Sequence, residues 1–167
     1  MRRLSRPILL LLALLLPIGT AQAVDFPLTG VVDVYSDLTI TEVTQMDFGI
    51  VLDRDGAVTL TLADAIVDGG NGVAAGGATI ASGDYQISGE TGLVVDLSLV
   101  SATGATGLAL NNFTVDAGAG SATFPTSGTL ASGNLNLVVG ADLTVTAAQA
   151  ASGQNQALSF TIGVTYQ

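Results

Sequence analysis

The chain has 167 residues, with four Lys+Arg, fourteen Asp+Glu, no His, no Cys and no Trp. Without imidazole or thiol, the usual general bases, activated nucleophiles and zinc ligands are missing, and this argues against an enzyme. Three of the four basic residues lie within the first six, so beyond them only Arg54 could meet a phosphate, which excludes nucleic acid and anionic membrane surfaces as partners.

In chain order, Arg2, Arg3 and Arg6 precede an apolar run from Ile8 to Leu16 and then Ala21-Gln22-Ala23, the pattern of a signal peptide over residues 1–23, cut before Val24. The run is too short to span a bilayer, and no later stretch reaches the roughly 20 apolar residues that spanning needs. The expected product, residues 24–167, is exported through the inner membrane to the periplasm and then to the cell surface or the medium. It carries one basic and fourteen acidic residues, a net charge of −13. Its 144 residues suit one domain, and without cysteine its stability must come from packing.

The mature segment opens on a stripe: Phe26, Leu28, Gly30, Val32 and Val34 alternate with Asp25, Pro27, Thr29, Val31 and Asp33. Asp53-Arg54-Asp55-Gly56 resembles the start of a calcium loop, but no further ligands and no closing glutamate follow at the spacing an EF-hand needs. Asp53 and Asp55 are therefore a weak calcium candidate, read more simply as a turn, and no metal or cofactor is expected. Val58, Leu60 and Leu62 alternate with threonines, and Asp68 to Gly77 reads as one long surface loop. Leu93, Val95, Leu97 and Leu99 form a second stripe, and Leu143 and Val145 a third. Asn112-Phe113-Thr114 fits a glycosylation sequon and is read as the start of a strand. Ala147 to Ala151 is too short to nucleate a helix. Two glutamates and twelve aspartates are the only chemistry left; with no aromatic sugar platform, they read as solvated carboxylates and not as a glycosidase pair.

The last segment is the most informative. Leu158, Phe160, Ile162, Val164 and Tyr166 hold five alternate positions, with Ser159, Thr161, Gly163 and Thr165 between them. Short alternating runs separated by glycine-rich turns predict an all-β fold, an antiparallel β-sandwich of immunoglobulin-like or pilin-like type, with a core seeded by Phe48, Phe113, Phe124 and Phe160. Too few aromatic residues are present for the girdles of an outer-membrane barrel. A long apolar strand at a chain end recruits other backbones unless it is covered. Pilin assembly uses this property: a subunit groove is filled first by a periplasmic chaperone and then by the N-terminal extension of the next subunit. Two readings follow. In the first, the protein is a fibre subunit with residues 26–34, within an N-terminal extension 24–34, as donor strand and 158–166 flanking the acceptor groove, its partners being copies of itself or related subunits, a chaperone and an outer-membrane usher. In the second, it is a monomeric secreted or surface-attached binding or matrix module.

Met46-Asp47-Phe48-Gly49-Ile50-Val51, followed by Gly56-Ala57-Val58-Thr59-Leu60, resembles the opening of the bacterial exported family known as domain of unknown function 4402. Asn112-Phe113, Gly128-Thr129-Leu130, Val139 to Val145 and Val164-Thr165-Tyr166-Gln167 are similar to its closing elements. The resemblance implies an exported, disulfide-free β-domain like a fimbrial major subunit, with no catalytic residues. Asp142 and Asn155-Gln156 depart from the family's pattern.

Overall fold

The computed structural model describes residues 31–69, 79–148 and 156–167. Contacts divide the chain between Asp33 and Val34 into two units, and the second, Val34–Gln167, carries every described strand. The proposed signal peptide lies outside the described residues.

The organising element is β9 (Asn134–Val145). Leu135, Leu137, Val139, Ala141, Leu143 and Val145 all point to one face and are all buried, as period-two alternation requires of a strand with one apolar side. Along one edge of β9 lies β6 (Leu108–Asp116). Along the other edge two strands sit end to end, β4 (Gly83–Ser88) on the first half and β2 (Gly56–Leu60) on the second. Gly140 marks the hand-over, because a Cβ there would run into the Leu60 carbonyl. β1 (Thr39–Thr44) extends this sheet beyond β4, β3 (Ile66–Gly69) beyond β2, and β7 (Ser121–Thr123) beyond β6.

The smaller sheet has β5 (Val94–Thr103) between β10 (Ser159–Tyr166) and β8 (Thr126–Thr129). All pairings are antiparallel, and the two sheets form a β-sandwich with no helix among the described residues. Val95 and Leu97 of β5 are fully buried, and Phe160 of β10 reaches the larger sheet at Phe113 and Tyr85, with ring centroids 5.2 and 5.9 Å apart. The core is mainly aliphatic; Phe48 and Phe113 are buried, whereas Phe124 and Phe160 are only partly so.

Two local expectations change. Asp68 and Gly69 belong to β3, so the loop read as starting at Asp68 starts later, and residues 70–78 lie outside the described residues. Asn112 does not start a strand: it sits at an irregularity inside β6 with φ of 45°, and its side-chain amide donates to Asp142 at 2.8 Å. Asp142 in turn accepts from the Thr59 hydroxyl at 2.5 Å, so this departure from the family pattern ties β2, β9 and β6 together.

Candidate assembly edge

A sheet edge exposes a row of backbone donors and acceptors, and natural sheets blunt such rows with short strands, inward-pointing charges, bulges or covering segments. Most edges here are blunted. β3, β7 and β8 have only four, three and four residues. β1 has six, but a bulge lies between Glu42 and Thr44. Glu42 is also an inward charge, since it stands opposite Tyr85, whose ring meets Phe160 of the other sheet. The Tyr85 hydroxyl is pushed up to about 12, first by burial and then by the charge of the Glu42 carboxylate and the hydrogen bond it donates there. On its β8 side, β5 lacks a ladder partner beyond Leu97 among the described residues, leaving an open groove of about 600 Å³ floored by Leu99, Leu110 and Phe113. That stretch is broken by an extra residue, Val100, where Thr161 pairs with Ser101 and Ile162 with Leu99.

β10 is different. It has eight residues, Ser-Phe-Thr-Ile-Gly-Val-Thr-Tyr, with no charge, no proline and no extra residue of its own, and among the described residues only β5 pairs with it. Leu158, Phe160, Ile162, Val164 and Tyr166 all face the core but remain half-buried, while Ser159, Thr161 and Thr165 are exposed. On the same inner face of the adjacent β5, flanked by strands on both sides, Val95 and Leu97 are sealed completely. Across the sandwich β10 meets β4 through Tyr85, and the next strand outward there is β1. Its Ile40 stands opposite the buried Ile87 and so faces inward, yet it is 44% exposed. An added strand beside β10 would cover the flank of the stripe and complete a ladder at once.

The C-terminal end of β10 holds a polar cluster that sequence reasoning missed. The Tyr166 hydroxyl donates to the Ser36 carbonyl at 2.7 Å and accepts from the Glu90 backbone N–H at 2.7 Å. The Glu90 carboxylate accepts from the Ser36 hydroxyl at 2.9 Å and from its N–H at 3.3 Å, and the Tyr35 ring lies 5.5 Å from that of Tyr166. Gly89 leaves room for this, because a Cβ there would strike the Tyr166 hydroxyl. The available signal was Tyr166 itself: a tyrosine on the inward side of a strand needs a partner for its hydroxyl.

Of the donor-strand residues read from sequence, Val32 and Val34 are exposed, outside any strand, and Phe26, Leu28 and Gly30 lie outside the described residues. Asp53 and Asp55 do not converge on a common point that a third carboxylate shares. Their carboxylates accept the N–H groups of Ala148 and Ala147 at 3.1 and 2.8 Å, fastening the turn after β9, where Ala148 has φ of 59°. Among the described residues no group of three or more His, Cys, Asp or Glu could hold a metal ion. No helix among them is long and apolar enough to cross a membrane.

Residues 38–166 match the family model described as "Domain of unknown function (DUF4402)". The chain belongs to this family. The DUF4402 segment takes in all ten described strands, from just before β1 to the last residue of β10, and so includes both the edge and Tyr166. No curated protein and no solved structure matches the chain.

Proposed function

We propose that this DUF4402 protein is an exported, pilin-like structural subunit of a bacterial surface fibre, assembled by β-strand addition. In this reading residues 26–34 of one copy lie along the outer edge of β10 in the next, with Phe26, Leu28, Val32 and Val34 directed toward the half-buried stripe. A periplasmic chaperone covers the same edge before assembly, and an usher delivers the subunit to the surface. No catalytic step is involved. The observation that carries the proposal is β10: a long, uncharged edge strand with an apolar stripe that its own fold leaves half covered, in a sandwich whose other edges are short, bulged or charged.

The test is removal of residues 24–34. The shortened protein is expected to fold, with unchanged far-ultraviolet circular dichroism, and to form no fibres; fibres from that protein would refute the donor assignment. A second reading, a monomeric secreted binding or matrix module, draws on the Tyr35–Tyr166 contact, which starts the N-terminal segment beside its own β10. It expects a compact monomer in which residues 26–34 resist proteolysis.

A further inference from the structure

Tyr166 belongs to two parts of the molecule at once. It is the last residue of β10, at the end of the edge that strand addition would use. Through its hydroxyl it also grips Ser36, from which the chain runs back toward residues 26–34. We propose that Tyr166 is a positioning residue that couples these two parts: filling the β10 edge of a subunit fixes the root of that subunit's own N-terminal segment at Ser36. The inference rests on the strand-addition reading, and it makes growth of a fibre more favourable than its start.

The physical basis is local stability. A strand paired on one side opens more readily than one paired on both, and groups bonded to it share its opening equilibrium. The end of β10 is held by its β5 partner Val95 and by the Gln167 N–H donating to the Val94 carbonyl at 3.1 Å. Segment 34–38 pairs with no strand. Its described polar contacts run from Ser36 to the Tyr166 hydroxyl and to the Glu90 carboxylate, while Glu90 itself donates its N–H to Tyr166. When a second backbone pairs along β10 the tyrosine's excursions fall, and the Ser36 carbonyl that it grips is held with it. The coupling is reciprocal: a fixed root also favours an ordered β10 end.

The test uses the mature chain, residues 24–167, and a synthetic peptide of residues 24–34 as the added strand, read by hydrogen exchange at single amides. In the wild type, peptide is expected to protect amides of β10 and also those of Ser36 to Leu38, the latter by about fivefold or more, the lower end of ordinary coupling. In Tyr166→Phe the protection of β10 stays and that of Ser36 to Leu38 disappears. Glu90→Ala keeps the tyrosine and its backbone bonds but frees the Ser36 N–H and hydroxyl, so it retains part of the coupling and serves if Tyr166→Phe does not fold. In the wild type, protection of β10 with an unchanged root, or a root protected equally in both variants and the wild type, overturns the coupling alone. A wild-type β10 that the peptide does not protect at all overturns the strand-addition reading and the coupling with it.

Discussion

β1 and β10 both end a sheet, and they treat their free edges in opposite ways. β1 is exposed at all six residues, yet it carries a bulge and an inward glutamate. β10 carries neither, and its four large inward residues, with Leu158 just before them, are half-buried. Exposure alone therefore does not tell a guarded edge from an unguarded one. The features that forbid a strand, a bulge and an inward charge, lie on β1, and β10 has neither.

The comparison breaks most sharply if the guard is moved. Ile162→Glu gives β10 the inward charge that β1 has; it is expected to abolish fibres and to cost about 2 kcal/mol or more of domain stability, as a carboxylate replaces half-buried aliphatic surface. Electron microscopy and urea denaturation read the two effects separately. Fibres of normal yield from that variant would mean that β10 is not the assembly edge.

Much of β10 was legible in the sequence, because its stripe runs five steps without a phase break. Val58 and Leu60, Val95, Leu97 and Leu99, and Leu143 and Val145 were legible for the same reason and face the core, whereas Leu62 falls in the turn after β2 and Leu93 just before β5. β6 was not, and the cause is specific: Leu108 and Leu110 face inward, the irregularity around Asn112 shifts the phase by one, and Phe113 and Val115 then face inward instead. Period two cannot be followed across such a step. β1 escaped because neither of its faces is buried; Asn134 to Leu137 of β9 does alternate, but Val138 to Ala141 is apolar on both faces and hides its continuity with Leu143 and Val145. That β10 lies at an edge was invisible, since pairing joins residues far apart in sequence. So was the Tyr166 cluster, whose partners are 76 and 130 residues away.

The reverse change sharpens the comparison. Glu42→Val removes the inward charge from β1 and is expected to turn a silent edge into an adhesive one, seen as concentration-dependent light scattering. The domain should lose no more than about 1 kcal/mol, the net worth of the hydrogen bond that Tyr85 gives up. A variant that stays as monodisperse as the wild type would show that the bulge alone protects β1.

A smaller effect follows the same pair into alkali. Because the fold raises the Tyr85 value, its neutral form is the one favoured in the native state. The resulting stability is complete below the unfolded tyrosine value of about 10 and is lost as the pH climbs through about 12. In Glu42→Val only burial still raises it, so Tyr85 should deprotonate at lower pH, and the loss, which starts at the same unfolded value, should be smaller and end sooner. Tyrosinate absorbance, with Tyr85→Phe to assign the signal, reads the difference.

The smallest effect on the fold is expected from Thr161→Lys, on the exposed side of β10. Domain stability should stay within about 0.5 kcal/mol of the wild type, while the lysine on the edge slows fibre growth. Equal growth rates would mean that incoming chains do not run beside Thr161.

Amide exchange along β10, compared between dispersed subunits and assembled fibres of the same mature chain, asks the central question with least inference. If a second backbone zips onto the outer edge, the amides between Thr161 and Thr165 that β5 leaves unpaired become slow only in the fibre. Fibres in which those amides exchange as fast as in free subunits would contradict the account.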